Sequence, residues 1–313
     1  MRPHSDNGST NRVLHQAPLG ATEQTPDALG RAAEQPRADL LEALNLPNRG
    51  EIFDLDPGRW PGMPVLPVHP PFLTTTFRTP RGSAVDGDGA LHGNGLGHTG
   101  FITELMVSSA HSGAHVDAMC HITRNSTWFG AGSESDHLGD FGATQGDASV
   151  IPPFVCRGVL IDVASLHGVE ALPAGHVIDR AEIAQALDRQ GVAIRQGDAV
   201  LVRTGYMSQW LDPVRRERHF GAGLGVAAAI ALADAGTVLV GCDTENLEVI
   251  PSESTERFLP VHVELMVERG IYIAELLYLE QIAAAGVGAF LFICLPLRIR
   301  GASGSMVRAI GLV

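Results

Sequence analysis

Short apolar runs alternate with amphipathic stretches from about residue 155 onwards, a pattern typical of an α/β protein. These runs are apolar almost throughout instead of alternating with polar residues, so we expect strands that are covered on both faces of a sheet. The predicted strands are, in chain order, Val155–Val163, Ala199–Arg203, Thr237–Cys242, Ile271–Ala274 and Val287–Leu295.

The stretches between these strands predict helices with recognisable ends. Asp179 followed by Glu182 resembles a capping box, and Gly191 closes the helix that follows. Further helices are predicted at Gly225–Ala235, Pro260–Arg269 and Leu279–Ala285. No linker interrupts residues 155–313, so the pattern favours one α/β domain with a mixed sheet over two separate domains.

The part of the chain before residue 155 shows little periodicity. Residues 1–36 are polar and predict a mobile arm, followed by a short helix at Arg37–Leu44. Six prolines between residues 57 and 71, and the Gly- and Asp-rich stretch 81–99, indicate loops. Because we expect the ordered part of the chain to begin near Ile52, we assign residues 1–50 to the arm and residues 51–313 to a single domain.

Composition and charge exclude several classes of protein. The 313 residues are 45% hydrophobic and 18% charged, which is the composition of a globular chain and excludes wholesale disorder. The net charge of −13 argues against nucleic acid and anionic membranes as partners, because phosphates would be repelled. The longest apolar run, near Ala284–Leu297, is shorter than the roughly 20 residues of a membrane helix. Neither nucleic acid nor a membrane is therefore an expected partner.

The four cysteines lie far apart and form no CxxC pair, so neither a zinc ribbon nor a disulfide scaffold is predicted. The first residues of the chain show no apolar targeting segment. Together these features predict reduced thiols and a cytoplasmic location.

The segment Ser108–His121 (SSAHSGAHVDAMCH) concentrates the candidate chemistry. If its backbone is extended up to Asp117, the period of two places His111, His115 and Asp117 on one face. Two imidazoles and a carboxylate are costly to bury without a metal or full hydrogen bonding, and this nitrogen and oxygen set suits Zn²⁺ or Mn²⁺. His121 follows after a predicted bend and is placed to stand beside a metal rather than to bind it.

The same segment resembles the H-x-G-T-H-x-D-x-P-x-H signature of the cyclase family of metal-dependent hydrolases, which includes bacterial kynurenine formamidase and isatin hydrolase. The matching residues are His111, Gly113, His115, Asp117 and His121, whereas Ala114 and Met119 replace the Thr and Pro of the signature. The stretch HVELMVERGIYIAE, residues 262–275, resembles the later family segment in which a helical His and a strand-ending Glu complete the metal site. Those two positions are His262 and Glu275 here.

The resemblance implies a fold and a reaction. The fold is an α/β domain of the swivelling β/β/α type, with a barrel-like mixed sheet and flanking helices, in chains that form homodimers or homotetramers. Its five ligands would hold one or two divalent cations, Zn²⁺ or Mn²⁺, and His121 would act as general base and then acid. The ligands are His111, His115, Asp117, His262 and Glu275. The expected reaction is hydrolysis of the C–N bond of an amide, lactam, imide or formamide, so the resemblance implies a small-molecule, ring-containing substrate as the partner.

Two alternatives stay open at this point. The same metal site would serve a lyase, dehydratase or true cyclase, and the changes at Ala114 and Met119 leave room for a non-catalytic metal- or ligand-binding protein.

The residues around the substrate are less clear from the sequence. Trp128, Phe129 and Trp60 are candidates for stacking on a substrate ring, with packing on the core as the alternative. Arg203 is a candidate either for binding a substrate carboxylate or for a structural ion pair. Cys120 is interpreted as a packing thiol, because it is predicted to point away from the face of its neighbour His121.

Overall fold

A nine-stranded mixed sheet forms the centre of the protein in a computed structural model, which describes residues 26–34, 37–86, 100–254 and 256–313. Its strands are β1 (Ile52–Asp54), β2 (His115–Asp117), β3 (Phe154–Asp162), β4 (Ala199–Arg203), β5 (Leu239–Cys242), β6 (Tyr272–Glu275), β7 (Ala289–Cys294), β8 (Gly304–Met306) and β9 (Ile310–Leu312). They lie in the order β1-β9-β7-β3-β4-β5-β6-β2-β8. The central strands β3 to β6 are parallel, and every other pairing in this sheet is antiparallel.

Helices flank the sheet. They are α1 (Arg37–Leu44), α2 (Pro80–Val85), α3 (Glu134–His137), α4 (Val163–His167), α5 (Arg180–Gln190), α6 (Pro213–His219), α7 (Val226–Asp234), α8 (Pro260–His262) and α9 (Glu280–Ala284). A π-helical turn, Val263–Glu268, continues α8. Short 3₁₀ turns lie at Pro26–Leu29, Arg31–Glu34, Met119–His121, Ala148–Val150 and Tyr206–Ser208.

Four small two-stranded sheets complete the secondary structure of the described residues. They pair Leu73–Arg78 with Thr103–Val107, Thr127–Trp128 with Gly132–Ser133, Leu138–Gly139 with Gly142–Ala143, and Val177–Ile178 with Gly223–Leu224. The first three are antiparallel hairpins, and the fourth is parallel.

The central strands are buried on both faces, as their apolar composition predicts. In β4, Leu201 packs into one apolar cluster, whereas its neighbours Val200 and Val202 pack into the other. The second cluster is closed by the apolar sides of α5 and α7, whose residues Ile183 and Leu232 lie in it. The mixed α/β fold with flanking helices is confirmed.

Most of the predicted elements after residue 155 are confirmed within a few residues. Asp179 and Glu182 form the predicted capping box, and Gly191 ends α5 in the left-handed conformation at φ 65°. The sequence pattern did not predict the short strands β1, β8 and β9, of which β1 and β8 are the two edges of the sheet, because three residues are too few to show a period.

The structure describes residues 26–34 and 37–50 of the predicted N-terminal arm, and these contact the domain. The Arg31 backbone N–H donates to the Gly270 carbonyl at 2.9 Å, and Ala28 and Ala32 are buried. Residues 1–25 and 35–36, and residues 87–99 of the predicted Gly- and Asp-rich loop, lie outside the described residues, so the mobility of the arm stays a prediction.

Within the described ranges, no helix combines the length and the apolar character needed to cross a membrane.

Candidate metal centre

Strand pairing brings the two halves of the centre together. β2 lies between β6 and β8, and the register places His115 opposite Glu275 and Asp117 opposite Gly304. Residues opposite each other on antiparallel strands have neighbouring side chains, so an imidazole from one segment meets a carboxylate from another. All four residues of β6 and all three of β2 are buried.

His111 reaches the centre from a turn instead of from the predicted strand. Only His115–Asp117 is extended, and Gly113 has a φ of 63°, which reverses the chain between His111 and His115. His111 Nδ1 nevertheless lies 2.9 Å from Asp117 Oδ1. Gly304 leaves room for this ring, because a Cβ at that position would lie 2.8 Å from His111 Cε1.

His262 comes from the last residue of α8, just before the π-helical turn. Its Nδ1 lies 2.6 Å from Glu248 Oε1, and that carboxylate oxygen also accepts the His262 backbone N–H at 3.1 Å. This pairing turns His262 Nε2 towards Glu275 Oε1 at 3.3 Å and Asp117 Oδ2 at 4.0 Å. Such a carboxylate partner commonly fixes the orientation of a metal-binding histidine.

The converging atoms fit a divalent cation. His115 Nε2 lies 3.3 Å from Glu275 Oε2 and 3.6 Å from Asp117 Oδ1, while its Nδ1 is held by the Gly113 carbonyl at 2.8 Å. Four atoms here are buried without a hydrogen-bond partner: His115 Nε2, both Asp117 oxygens and Glu275 Oε1. Buried polar atoms are rarely left without partners, and a metal ion would satisfy all four.

The donor atoms form two overlapping groups. His111, His115 and Asp117 make one, and Asp117, His262 and Glu275 make the other, with the ligand atoms of each group within 4.8 Å of one another. Asp117 belongs to both groups, and its two oxygens face different partners. The two groups could hold one ion or two, and Asp117 would offer an oxygen to each group.

The buried histidines and carboxylates of the centre shift one another's pKa values. Burial by itself raises the pKa of Asp117, but the imidazoles of His121, His111 and His115 outweigh it and lower that pKa below its usual range. Burial likewise lowers the pKa of His262, but Glu248 and Glu275 outweigh it and raise the value to about 10. The protonated imidazole of His262 thus supplies positive charge beside the Glu275 carboxylate, which is the charge that a metal ion would provide.

His121 stands beside this group without belonging to either donor set. It lies in the 3₁₀ turn Met119–His121, and its ring centroid is 4.2 Å from that of His111. Burial lowers the pKa of His121 to about 4, partly opposed by Asp117. A neutral imidazole at neutral pH is available to accept a proton.

An open cavity of about 900 Å³ leads to the centre. His111, His121, His262 and Glu275 form its floor, and Val68, Ile250 and Phe258 are among its apolar walls. His69 also lines the cavity, and its ring stacks on that of His111 with centroids 5.0 Å apart. Sequence reasoning missed His69, which lies in the Pro-rich loop, because nothing local connects it with the motif.

The three predicted substrate residues lie outside this cavity in the single chain. Trp128 is buried, and its Nε1–H donates to the Gln145 carbonyl at 3.1 Å. Phe129 packs on the same core beside Gly270. Trp60 packs edge-on against Trp210, 5.7 Å between centroids, and lines a different cavity of about 480 Å³. Their role towards substrate stays a prediction.

Two other residues left open by the sequence have structural partners. Arg203 forms ion pairs with Asp162 at 2.8 Å and with Glu280 at 2.7 Å, so it is committed to the fold. Burial raises the pKa of the Cys120 thiol to about 12, which fits a packing role because a thiol needs to ionise to attack.

Three leucines with left-handed backbone adjoin residues of the centre. Leu247 (φ 47°) precedes Glu248, Leu259 (φ 45°) is the N-cap residue before α8, and Leu276 (φ 54°) follows Glu275. Non-glycine residues seldom adopt this conformation, and such strain concentrates at functional sites.

Comparison with known proteins agrees with this geometry. The family model described as "Putative cyclase" matches residues 53–249, which is more than half of the chain. The chain belongs to the cyclase family. The matched range includes the whole of the His111–His121 segment, whereas His262 and Glu275 lie beyond it.

Three solved structures, one called a cyclase and two called isatin hydrolases, share the fold. The chain is 26% identical to a protein called a novel cyclase, with a TM-score of 0.80 over 92% of this chain and 97% of the other. Isatin hydrolase A from Labrenzia aggregata is 21% identical, with a TM-score of 0.61 over 84% of this chain and 93% of that one. Isatin hydrolase A from Ralstonia solanacearum is also 21% identical, with a TM-score of 0.61 over 88% and 95%. No curated protein matches the chain.

Proposed function

We propose that this cyclase-family protein is a metal-dependent hydrolase that cleaves the C–N bond of an amide, lactam, imide or formamide. The observation that carries the proposal is the set of four buried donor atoms without partners at His115, Asp117 and Glu275, with His121 beside them in the same cavity. A decayed binding site would have no need of a proton-transfer group in this position. Three structural neighbours are named isatin hydrolases, and isatin is a lactam.

The metal would be held by His111, His115, Asp117, His262 and Glu275. When bound, it would activate a water molecule and polarise the substrate carbonyl. Nitrogen and oxygen donors of this kind suit both Zn²⁺ and Mn²⁺.

His121 moves the proton in the proposed reaction. Its imidazole is neutral near pH 7, so one ring nitrogen accepts a proton from the attacking water. The same nitrogen then returns the proton to the leaving nitrogen of the substrate, which completes the C–N cleavage. His69, stacked on His111, holds that ring from the cavity side.

The cavity suits a ring-bearing substrate of modest size. Its volume of about 900 Å³ falls in the range of small-molecule sites, and its walls are mainly apolar around a polar floor. The apolar walls would exclude water from a flat ring while the floor receives the reacting carbonyl.

The test begins with the metal content of the purified protein, measured by elemental mass spectrometry beside a His115→Ala variant. We expect one or two equivalents of Zn or Mn that the variant loses. Turnover of isatin, other lactams, imides and formamides is then measured. A folded protein that takes up neither ion would overturn the proposal, and metal binding with elimination or ring closure instead of hydrolysis would favour the lyase or cyclase alternative.

We also propose that the chain self-associates. The hairpin Leu73–Arg78 with Thr103–Val107 exposes a row of apolar side chains, among them Leu73, Leu105 and Val107, which are 52%, 56% and 49% exposed. An apolar surface of this kind on a hairpin is typical of an interface between subunits. A second copy of the chain is the partner we propose for it.

A further inference from the structure

A second group of imidazole and carboxylate side chains lies away from the cavity and its centre. It consists of His167, the last residue of α4, His176, which follows the turn at Gly175, and Glu182 in the first turn of α5. The three ligand atoms of this group lie within 4.8 Å of one another. None of the three residues lines the hydrolase cavity.

Both imidazoles point their Nε2 atoms at the same carboxylate oxygen. Glu182 Oε1 lies 2.5 Å from His167 Nε2 and 2.8 Å from His176 Nε2. The rings meet edge to face with centroids 5.0 Å apart, so their Nε2 atoms approach from two directions. Two nitrogens from two segments of the chain therefore converge on one carboxylate oxygen from a third segment.

The carboxylate is held in place by the backbone. Glu182 Oε2 accepts the Asp179 backbone N–H at 2.9 Å as part of the capping box of α5, which leaves Oε1 free to face the imidazoles. Burial by itself raises the pKa of Glu182, but the Asp179 N–H and the two histidines outweigh it and lower that pKa. The carboxylate is thus ionised and oriented before any ion arrives.

The geometry needs little change to accept an ion. Tetrahedral zinc with bonds of about 2.1 Å places its ligand atoms about 3.4 Å apart. The present separations of 2.5 and 2.8 Å would widen by less than about 1 Å, and the His167 side chain is 39% exposed and able to move. That exposure also leaves an entry path and a fourth position for water.

We propose that His167, His176 and Glu182 form a second divalent-cation site, distinct from the hydrolase centre, that takes Zn²⁺ or a similar ion favoured by imidazole nitrogens. The ion would link the end of α4, the turn before the strand Val177–Ile178 and the beginning of α5. It would take the place of the imidazole protons that now face Glu182 Oε1. Its role is structural, because it ties segments that otherwise meet through hydrogen bonds at the surface.

Zinc uptake by the full-length chain tests this site independently of hydrolysis. The metal-free protein is dialysed against Zn²⁺ alone near neutral pH, and bound zinc is counted for the wild type and for a chain carrying both His167→Asn and His176→Asn. We expect the double variant to bind one equivalent less than the wild type. The control is His137→Asn, which removes a histidine from another helix, and it should bind as the wild type does.

The variant Glu182→Gln distinguishes loss of a metal ligand from unfolding of α5. A glutamine in the third position of a helix still completes a capping box, so α5 keeps its start while the negative charge is lost. We expect the affinity of this variant for the additional zinc ion to be at least tenfold lower than that of the wild type. Its thermal unfolding midpoint without metal should equal that of the metal-free wild type. Equal zinc stoichiometry and affinity in the wild type and in the double variant would overturn the proposal, whether or not the protein proves to be a hydrolase.

Discussion

Arg59 is bonded to the backbone of Ser112, the residue that follows His111, with Nε donating to the Ser112 carbonyl at 2.9 Å. The same guanidinium also donates to the carbonyls of Ala114 and Val307, and it pairs with Asp56 at 2.9 Å. It therefore holds both sides of the Gly113 turn that brings His111 back to Asp117. One side chain from the Pro-rich loop thus fixes the backbone of the motif.

Replacing this guanidinium should loosen the centre without removing a ligand. We expect Arg59→Met to weaken Zn²⁺ affinity by about 10- to 100-fold, the usual cost of losing a group that orients metal ligands. Affinity is measured by competition with a chelator of known strength. The matched control is Arg308→Met, whose guanidinium pairs with Asp54 at the surface, and it should leave affinity unchanged. Equal affinities in the two variants would contradict the role of Arg59.

Glu248 orients His262 through Nδ1, the ring nitrogen that faces away from the centre, and we expect the negative charge of Glu248 to raise metal affinity. In Glu248→Gln the side chain still reaches His262 Nδ1, but its neutral amide oxygen accepts a weaker hydrogen bond from the ring N–H than the carboxylate does. We expect a loss of about 10- to 100-fold in Zn²⁺ affinity, read in the same chelator competition. Glu264→Gln, which removes a carboxylate paired with Arg269 on the following turn, serves as the control. An unchanged affinity in Glu248→Gln would show that this hydrogen bond does not position His262.

His121 should affect turnover far more than metal binding. We expect His121→Gln to keep its full metal content and to lose about 10²- to 10⁴-fold in kcat, the usual contribution of a general base. Both quantities are measured on the same preparation, metal by elemental analysis and kcat on whichever amide or lactam the wild type hydrolyses. A variant that retains both its metal and its full rate would exclude His121 from proton transfer.

Asp243 should make stability depend on pH. It is fully buried, and burial raises its pKa to about 7, although hydrogen bonds from the Thr204 backbone N–H and hydroxyl oppose this. Its folded pKa lies above the unfolded value of 3.8, so the folded state retains a proton that the unfolded state has lost. Its contribution to stability is therefore present below about pH 4 and declines as pH rises towards 7.

The comparison with Asp243→Asn isolates that contribution. The amide places a donor against the Gly205 N–H, so we expect a loss of about 1–3 kcal/mol in the free energy of unfolding. We also expect the difference between wild type and variant to narrow as pH rises from 5 to 7, measured by urea denaturation at each pH. A difference that stays constant over this range would mean that Asp243 is already ionised in the folded protein.

The exposed hairpin gives a test of self-association. Leu73 pairs with Val107 across the hairpin, and Leu105 lies two residues away on the same face. We expect a chain with Leu73→Ser and Leu105→Ser to elute as a monomer in size-exclusion chromatography with light scattering, where the wild type is larger. Leu138→Ser, at an exposed position in another hairpin, is the control. A wild type that is itself monomeric would contradict the proposed interface.

The amino-acid sequence by itself determined the elements of the C-terminal half. Strands β3 to β7 are buried on both faces and so carry continuous apolar runs. The ends of α5 are set by neighbouring residues in the sequence, the capping box of Asp179 and Glu182 and the left-handed Gly191. The sequence also determined that His115 and Asp117 share a face, because residues two positions apart in a strand point to the same side. That His262 and Glu275 belong to the same centre came from the family resemblance, since each alone reads as a surface residue.

Only the tertiary structure decided how the centre is assembled. Glu275 lies opposite His115 because β6 and β2 pair in one register, and the pairing of distant strands leaves no periodic trace in either segment. Arg59, His69 and Glu248 act on the motif through contacts with residues far away in the chain, so no spacing rule could find them. Trp128 and Phe129 follow the motif closely in sequence, yet packing carries them into the core. Sequence sets what each segment can form by itself, whereas the hydrogen bonds and packing between segments decide which side chains meet.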